Sequence, residues 1–324
     1  MAHITLTYRC NLRCPYCFAN EFVNKESTDI TWDGFKSAVD FITTCGKARI
    51  GLIGGEPLVH PLFDEFVDFL INRDDVSLIS IFTNGVLMQK HLDVLKHPKV
   101  DILVNCNSPE QIGEKAYTMI VNALDELVPC KVQDSVSLGF NLHYANVKKY
   151  EYALSLLQRY NMDIARIALA IPDAKDINGQ TSIEFFKQRK SFLMQFYHKL
   201  DAIGVIPNID CNVPPKCIWN KEETVWLKQY AARFKGIRTN IIGQCSSCEP
   251  VVDILPNLQA IRCFGLSDNS KVSICDFHNI EELENYYSDK FDKKLSRLPC
   301  IDECRFCEDF ILNSCMGGCL TFKR

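Results

Sequence analysis

Three cysteines stand close together near the amino terminus, in the stretch CNLRCPYC. Cys10, Cys14 and Cys17 follow a strand-like segment at residues 3–9. In a chain with no recognisable secretory leader, clustered thiols indicate metal binding rather than a disulfide framework. Three thiolates can hold three irons of a four-iron cluster, and the open fourth position is where chemistry would occur. A structural zinc site or three unrelated thiols are the alternatives.

Short glycine-rich or polar stretches follow the next three predicted strands. They are GGEP at 54–57, TNG at 83–85 and NCNS at 105–108. In a parallel sheet the carboxyl ends of the strands lie on one face, and sites of such folds are built there. We therefore expect these stretches and the cysteine loop to converge on one mouth of the sheet.

Strands and helices alternate along the first half of the chain. Strands are predicted at 3–9, 49–53, 76–84, 100–106, 136–144 and 165–171, and helices at 31–44, 61–73, 86–97, 108–128 and 147–160. Thr31 suits the N-cap of the first helix. This alternation is typical of βαβ units with a parallel sheet. Six units fall short of the eight of a full barrel, so the expected fold is α/β, a partial (β/α)6 barrel.

The composition is that of a globular protein with a normal core. The chain has 324 residues, 47% of them hydrophobic, and a formal net charge of −4. The charge argues against nucleic acid as a partner, because such proteins neutralise phosphates with basic residues. No apolar run is long enough to cross a bilayer, so no membrane partner is expected. With no leader recognised, we expect a cytoplasmic protein.

The second half of the chain differs in character. A long amphipathic helix is predicted at 182–204, and from 205 onward we expect short strands, turns and cysteines. Eleven of the 17 cysteines lie between Cys211 and Cys319. The predicted division is a partial barrel at 1–180, a bridging helical segment at 181–240 and a small cysteine-rich α+β domain at 241–324.

The stretches CNLRCPYC, GGEP and TNG, in this order, resemble the radical S-adenosylmethionine (radical SAM) superfamily over roughly residues 3–175. The resemblance implies a [4Fe–4S] cluster on Cys10, Cys14 and Cys17, with SAM chelating the open iron. Gly54 and Gly55 would let the backbone approach the methionyl group, and Glu56 would hold its ammonium. A radical SAM barrel is the implied fold. The further implied SAM contacts are Tyr16 and Phe18 near the adenine, and Asn84, Ser108 and Asn141 as polar contacts.

Three of these polar contacts have plainer interpretations. Asn84 can be a turn residue of TNG, because asparagine favours tight turns. Ser108 can cap the helix that follows it. Asn141 can be a polar residue of its strand.

The run CRFCEDFILNSCMGGC resembles the SPASM extension of this superfamily, which carries two auxiliary [4Fe–4S] clusters. The spacer between its two cysteine pairs is seven residues, whereas the family has five. The resemblance implies an inner cluster and an outer cluster. The outer cluster either recruits Cys300, recruits another cysteine, or is left open, and Cys211, Cys217 and Cys275 are the spare candidates. The implied ligands are Cys245, Cys248, Cys263 and Cys319 for the inner cluster, and Cys304, Cys307 and Cys315 for the outer cluster.

Two other interpretations of these cysteines stay open. A zinc ribbon is the alternative for the whole carboxyl-terminal set. The stretch DCNVPPKC at 210–217 could touch either cluster, or could be a loop with two ordinary thiols. Thiols without ligand roles are common in protein interiors.

The resemblance implies reductive cleavage of SAM to a 5′-deoxyadenosyl radical, with electrons from a flavodoxin- or ferredoxin-type donor. The expected substrate is a peptide that is cross-linked, epimerised or oxidised during maturation. The alternative is a small-molecule dehydrogenase, decarboxylase or mutase acting on a sugar, amino acid or alcohol. A maturase of a partner enzyme is disfavoured, because Phe264 stands where one subgroup has an aspartate. A cluster carrier or zinc scaffold is the non-enzyme alternative.

No catalytic acid or base can be named from the sequence. His60, Asp210, Asp253 and Asp276 are candidates, and each also suits a turn or surface position.

Overall fold

The computed structural model describes most of the chain. It covers residues 2–25, 28–131, 135–169, 180–209, 212–234, 236–237, 239, 241 and 251–323. The chain divides into two compact units, each made of two segments. The first is Met1–Ser137 with Pro250–Ser288, and the second is Leu138–Glu249 with Asp289–Arg324.

The strands are short and are spread along the chain. They are β1 Ala2–Thr5, β2 Ala48–Ile53, β3 Val76–Thr83, β4 Val100–Asn105, β5 Val136–Asn141, β6 Ile164–Ala168, β7 Ile206–Ile209, β8 Asp253–Ile254, β9 Gln259–Ile261 and β10 Val272–Ser273.

The helices vary from single turns to six turns. They are α1 Trp32–Thr43, α2 Phe63–Ile71, α3 Leu92–Leu95, α4 Pro109–Ile112, α5 Glu114–Leu127, α6 Glu151–Arg159, α7 Ser182–Ala202, α8 Lys221–Ala232, α9 Ser267–Ser270, α10 Ile280–Tyr287, α11 Lys293–Ser296 and α12 Glu308–Ile311.

The first unit is built on a mainly parallel sheet with the order β10-β9-β8-β1-β2-β3-β4. Strands β1 to β4 are parallel, with His3 opposite Gly51 and Leu52 opposite Ile81. Their apolar side chains are buried, as expected for a parallel sheet with helices on its face. On the other side of β1, strand β8 also runs parallel, and β9 and β10 follow in antiparallel pairing.

Helices α1 and α2 of the first unit are held by a cap and by aromatic packing. The Thr31 side chain accepts a hydrogen bond from the Gly34 amide at 3.1 Å, which confirms the predicted N-cap. The ring of Phe35 stacks on that of Phe66, with centroids 4.1 Å apart. Both rings are fully buried, and burying a phenylalanine side chain contributes about 2 kcal/mol.

The second unit contains a smaller parallel group of strands, in the order β5-β6-β7. The predicted long helix is confirmed as α7, which begins at Ser182 after a capping box formed by Thr181 and Glu184. Its buried face includes Phe192 and Phe196, whose rings stack 6.2 Å apart.

Several predicted elements have different bounds in the structure. The regular part of the first strand ends at Thr5 rather than at residue 9. The helix predicted at 86–97 is a 3₁₀ turn at Met88–Lys90 followed by α3. The helix predicted at 108–128 is broken at Gly113, which has φ +83° and separates α4 from α5.

The carboxyl-terminal half also contains helices that the sequence interpretation missed, α8 and α10 among them. An α/β fold with a parallel sheet that stays open over the described residues is confirmed. The predicted domain boundaries near 180 and 240 stay a prediction. Among the described residues, no helix combines the length and hydropathy needed for a membrane span.

Candidate metal centre

The loop after β1 brings the first three cysteines together in a tight turn. The Cys17 amide donates to the Cys14 carbonyl at 3.2 Å. The Leu12 amide donates to the Cys10 sulfur at 3.4 Å, and the Cys10 amide donates to the side chain of Asn24 at 3.0 Å. All three thiols are half-buried. The loop therefore presents its sulfurs from a backbone that is fixed by hydrogen bonds.

The three thiols lie within electrostatic range of one another, and Cys10 and Cys14 also lie within range of Glu56. Burial raises the pKa of Cys10 to about 11, with smaller contributions from Glu56 and Cys14. Burial also raises the pKa of Cys14 and of Cys17. The free thiols are therefore protonated at neutral pH. A metal that bound them would displace the protons, as thiolate ligation requires.

The glycines of GGEP dock the cysteine loop against the end of β2. The Gly55 amide donates to the Thr7 carbonyl at 2.8 Å, and the Glu56 amide donates to the Arg9 carbonyl at 2.9 Å. A Cβ atom on Gly54 would lie 2.7 Å from the Thr7 carbonyl oxygen, and one on Gly55 would lie 2.4 Å from that of Arg9. Only glycine permits this approach of the two backbones. The predicted approach of these glycines to a methionyl group stays a prediction.

The carboxylate of Glu56 lies in the interior, with its side chain 1% exposed. One oxygen accepts from the Thr83 hydroxyl at 2.7 Å and from the Leu58 amide at 3.2 Å. The other oxygen accepts from the Asn84 amide at 2.7 Å. A carboxylate has about four acceptor positions, so capacity remains for one more donor, such as an ammonium. Burial raises the pKa of Glu56 to about 7, against the three hydrogen bonds, which lower it.

Asn84 joins the end of β3 to the cysteine loop. Its side-chain amide donates to Asn11 Oδ1 at 2.7 Å and lies 3.9 Å from the Cys10 sulfur. Its side-chain oxygen accepts from the Val86 amide at 3.1 Å, which is the turn role expected of an asparagine here. The turn interpretation is thus confirmed, and a contact of Asn84 with SAM stays a prediction.

The end of β4 reaches the same loop through Tyr16. The Tyr16 hydroxyl donates to the side-chain carbonyl of Asn107, which follows β4, and also interacts with Cys14. Ser108, next in sequence, is the N-cap of α4, and its amide donates to Gln111 at 3.2 Å. The cap interpretation of Ser108 is confirmed. The four strand ends therefore converge, as the parallel topology predicts.

The contact between Phe18 and Phe264 brings the Cys263 segment near this loop. The Phe18 ring is 68% exposed and meets Phe264 edge-on, with centroids 4.9 Å apart. Phe264 directly follows Cys263, and Phe22 packs on it as well, at 5.9 Å. The predicted inner-cluster ligand Cys263 thus lies on a segment that packs against the amino-terminal cysteine loop.

Of the other predicted ligands of the inner cluster, Cys319 alone is among the described residues. Cys245 and Cys248 lie outside the described residues, and so does Cys211. Cys319 belongs to the second unit and is half-buried. Asn141 also belongs to the second unit, at the end of β5, where its carbonyl accepts from the Tyr150 hydroxyl at 3.4 Å. The predicted roles of these residues stay predictions.

The predicted outer-cluster thiols lie on consecutive turns of the second unit. Cys304 is in the 3₁₀ turn Asp302–Phe306 and is buried, and Cys307 is the N-cap of α12. The Gly317 amide donates to the Cys315 sulfur at 3.3 Å. Cys300 lies against Gly317, its Cβ 3.1 Å from where a Cβ of Gly317 would stand.

The donor chemistry of these sites fits iron–sulfur ligation. Thiolates are the ligands that such clusters use, and amide hydrogens already point at the sulfurs of Cys10 and Cys315. Over the residues that the structure describes, no three His, Cys, Asp or Glu side chains are placed so that they could hold one metal ion. Cluster ligation makes a different demand, because each thiolate binds a separate iron.

Two of the four acid–base candidates have structural roles in the first unit. Both ring nitrogens of His60 are engaged, with the Ile30 carbonyl at 3.1 Å and with the Leu62 amide at 3.1 Å. Asp253 is buried and pairs with His3 at 2.9 Å on adjacent strands. Asp276 lies in the 3₁₀ turn Ile274–Asp276, and Asp210 is outside the described residues.

The sequence interpretation missed three asparagines that hold the site together. Asn11, Asn24 and Asn107 bind Asn84, Cys10 and Tyr16 respectively. Asn11 and Asn107 were visible beside motifs, since each adjoins a residue already singled out. Asn24 carries no such signal, because only the fold of the loop brings it to Cys10.

Comparison with known proteins is consistent with this geometry. The model of the Radical SAM superfamily matches residues 4–157. A GTP 3′,8-cyclase of Alkaliphilus oremlandii is 32% identical over 116 residues, which cover 34% of this chain and 36% of that protein. The antilisterial bacteriocin subtilosin biosynthesis protein AlbA of Bacillus subtilis is 33% identical over 104 residues, which cover 32% of this chain and 22% of AlbA.

Solved structures resemble almost the whole chain in fold, and one of them is described with a peptide. Native anSMEcpe with bound AdoMet and the Cp18Cys peptide has a TM-score of 0.67 at 16% identity. The match covers 98% of this chain and 88% of that one. At this identity the likeness concerns the fold. The sequence matches to the two curated relatives span 36% and 22% of the lengths of those proteins.

Proposed function

Residues 4–157 form a radical SAM domain, and on that premise we propose that this protein is a radical SAM enzyme that modifies a peptide. Cys10, Cys14 and Cys17 would hold the cluster, which would supply one electron for cleavage of SAM to a 5′-deoxyadenosyl radical that takes a hydrogen atom from the substrate. Cross-linking, epimerisation and oxidation are the outcomes that this reaction class permits.

The residues of the chain have distinct tasks in this proposal. The cysteine loop holds the cluster, and the backbone hydrogen bonds to Thr7 and Arg9 fix that loop on the sheet. Glu56, with acceptor capacity left on its buried carboxylate, binds the ammonium of SAM. Tyr16 and Phe18 lie near the adenine, while Asn84, Ser108 and Asn141 remain the proposed polar contacts.

One observation favours a peptide over other substrates. The likeness to anSMEcpe, a protein described with a bound peptide, extends over 98% of this chain and includes its cysteine-rich part. AlbA, whose name refers to biosynthesis of a bacteriocin, supports the same substrate class. A match to a GTP 3′,8-cyclase of Desulforamulus reducens covers 64% of this chain at 29% identity, whereas the AlbA match covers 32%, so sequence coverage does not decide between the two substrate classes.

The proposal includes two auxiliary clusters of SPASM type. Cys245, Cys248, Cys263 and Cys319 are the proposed inner ligands. Cys304, Cys307 and Cys315 are the proposed outer ligands. The packing of Phe264 on Phe18 supports an inner cluster beside the SAM site. Such a cluster can accept the electron that remains after an oxidation, and a flavodoxin- or ferredoxin-type protein is the proposed donor to the chain.

The second candidate is a small-molecule enzyme, a dehydrogenase, decarboxylase or mutase of a sugar, amino acid or alcohol. It is favoured by the match to a protein whose name describes action on GTP, a small molecule. In this case the auxiliary clusters would bind or oxidise the small substrate.

Anaerobic reconstitution followed by assay with SAM and dithionite tests the proposal. We expect 5′-deoxyadenosine and methionine from the native chain, none from Cys14→Ala, and undiminished amounts from the control Cys45→Ala, which changes an exposed thiol. Turnover by Cys14→Ala equal to that of the native chain would overturn the proposal.

Candidate substrates then distinguish the two substrate classes. We expect a deuterated peptide to transfer deuterium into 5′-deoxyadenosine. Transfer from deuterated sugars, amino acids or nucleotides, with none from peptides encoded beside the gene, would favour the second candidate.

A further inference from the structure

We propose that Cys217 is the fourth thiolate of the outer auxiliary site, together with Cys304, Cys307 and Cys315. This inference rests on the proposed function, because it assumes that an auxiliary iron–sulfur cluster forms there. It replaces Cys300, the ligand that the sequence suggests first, with a cysteine from a loop more than eighty positions before the motif.

An ion pair holds the Cys217 loop on the segment that carries the other thiols. Lys216 donates to both carboxylate oxygens of Asp309, at 2.9 and 3.2 Å. Asp309 stands two residues after Cys307, in α12. An exposed ion pair contributes little stability by itself. Here the ion pair shows that the loop with Cys217 lies beside the segment that follows Cys307.

The same residue, Asp309, also holds the turn that leads to Cys315. Its carbonyl accepts from the Ser314 amide at 2.8 Å and from the Cys315 amide at 2.9 Å. Its carboxylate accepts from the Ser314 hydroxyl at 3.2 Å. One aspartate therefore ties together the loop with Cys217, the helix that follows Cys307 and the turn that precedes Cys315.

The thiols themselves are near enough to influence one another. The pKa of Cys217 is raised first by desolvation and then by Cys315 and Cys304, with Cys307 also contributing. The pKa of Cys315 is raised by burial and also by Cys304 and Cys307. The Cys307 amide donates to the Cys304 carbonyl at 3.1 Å, so Cys304 lies on the same turn as Cys307, beside the segments that Asp309 ties together. Lys216 adds a positive charge near Cys307 and Cys315, which suits an anionic cluster of thiolates.

The backbone around Cys217 is well fixed for a ligand. Cys217 lies in the 3₁₀ turn Lys216–Ile218, and Pro215 precedes the turn. The Trp219 amide donates to the Lys216 carbonyl at 3.3 Å, and Ile218 is buried. The Cys217 residue as a whole is exposed, while its sulfur is partly desolvated, which is the main cause of its raised pKa.

Cys300 is the competing ligand, and it has a different environment. Its Cβ packs against Gly317, which has φ +71° and therefore needs to be glycine. This contact gives Cys300 a packing role beside the turn that follows Cys315.

Iron content and spectroscopy of the full chain distinguish the two cysteines. In a background with Cys10, Cys14 and Cys17 changed to alanine, the remaining iron belongs to auxiliary clusters. We expect Cys217→Ala in that background to lose about four iron per chain, or to show the electron paramagnetic resonance signal of a three-iron cluster. Cys300→Ala and the control Cys130→Ala should keep their iron and lack this signal. Full iron in Cys217→Ala, or loss in Cys300→Ala alone, would overturn the inference.

Alkylation of the unmutated chain provides a second measurement that does not depend on a variant folding. In the metal-free chain, iodoacetamide should modify Cys217, but more slowly than the exposed Cys45 and Cys130, because burial raises the pKa of Cys217 to about 11. After anaerobic reconstitution, Cys217 should be protected while Cys45 and Cys130 still react. Equal modification of Cys217 before and after reconstitution would exclude it as a ligand.

Failure of this inference is distinguishable from failure of the proposed function. The native chain tests the proposed function separately, because we expect it to form 5′-deoxyadenosine from SAM when reduced, whichever thiolate completes the outer site. If that reaction is absent from the native chain, the proposed function fails. If it is present and Cys304→Ala loses no iron in the alanine background, the outer cluster and this inference fail alone.

Discussion

The Phe18 ring, one residue after Cys17, packs edge-on against the ring of Phe264, one residue after Cys263. Two cysteine-bearing segments that are far apart in sequence are therefore joined by an aromatic contact. Such pairs contribute about 0.5–1.5 kcal/mol beyond burial, and the exposure of Phe18 places this one at the low end.

We expect a double-mutant cycle of Phe18→Ala and Phe264→Ala to give a coupling free energy of about 0.5 kcal/mol. Urea unfolding of the metal-free chain measures it. Phe306→Ala is the control, because its ring is 86% exposed and its loss should change the free energy of unfolding by less than about 0.5 kcal/mol. Additive effects of the two alanine substitutions would show that the contact between the two rings contributes no coupling free energy.

Glu56 should make the stability of the metal-free chain depend on pH. Its pKa rises from 4.5 to about 7 on folding, so the folded state binds the proton more tightly. Stability from this group is therefore present below pH 4.5 and declines as the pH rises to 7. The decline amounts to about 3 kcal/mol.

Urea unfolding at pH 5 and pH 8 measures this dependence. The difference between the two free energies of unfolding should be smaller in Glu56→Gln than in the native chain by about 2.5 kcal/mol, because part of the change is complete below pH 5. Glutamine also changes the hydrogen bonds to Thr83 and Asn84, so the comparison uses the pH dependence rather than absolute stability. An identical pH dependence in both chains would contradict the raised pKa.

Gly55 should not tolerate a side chain. Alanine would place a Cβ 2.4 Å from the Arg9 carbonyl oxygen, so the cysteine loop must move away from the sheet. We expect a loss of about 2 kcal/mol in the free energy of unfolding, together with loss of the iron held by the amino-terminal cysteines.

The control is Gly34→Ala, at a helical position where the nearest atoms belong to the side chains of Thr31 and Ile30. Side chains can shift by small amounts, and alanine favours the helix by about 0.5–1 kcal/mol. Chemical denaturation and iron analysis of the two variants measure the difference. Normal iron content in Gly55→Ala would mean that the loop does not depend on this close approach.

Cys10 should react slowly with alkylating reagents in the metal-free chain. Its pKa of about 11 is some two units above the ordinary value of 9.0, and the thiolate is the reactive form. We expect alkylation at pH 7 about 100-fold slower than for an unperturbed thiol, with the rate rising tenfold per pH unit up to pH 10. Peptide mapping by mass spectrometry measures the rate at each cysteine.

Glu56→Gln serves as the matched variant in that experiment. The carboxylate raises the pKa of Cys10 and Cys14, so its removal should speed alkylation of both and leave Cys17 less affected. Fast reaction of Cys10 in the native chain at neutral pH would contradict the burial of its sulfur.

Much of the first unit could be predicted from the sequence because its signals are local. Buried parallel strands such as β2 and β3 are short apolar runs. The N-cap residue Thr31 marks the start of α1 in the sequence. The convergence of the cysteine loop, Glu56, Asn84 and Ser108 follows from parallel topology alone. The break at Gly113 is also a local signal, which the apolar periodicity on either side of it concealed.

The remaining features depend on contacts between distant segments. Strand β8 is the two residues Asp253–Ile254, too short to show any periodicity, and pairing with β1 alone defines it. The requirement for glycine at Gly54 and Gly55 also depends on a distant segment, because a Cβ atom at these positions would meet the backbone of Thr7 and Arg9. The approach of Cys217 to the later cysteines depends on Lys216 and Asp309, whose pairing no spacing rule reveals.

The partnership of β1 with β8 has a consequence for how the chain is made. His3 and Asp253 are 250 positions apart, so β1 keeps one unpaired edge until translation has passed that point. Exposed edges recruit other chains, and sheets closed by such distant pairings form slowly. Nascent chains of this protein are therefore most vulnerable to aggregation late in synthesis, and a product that stops short of the Asp253 strand would carry that open edge permanently.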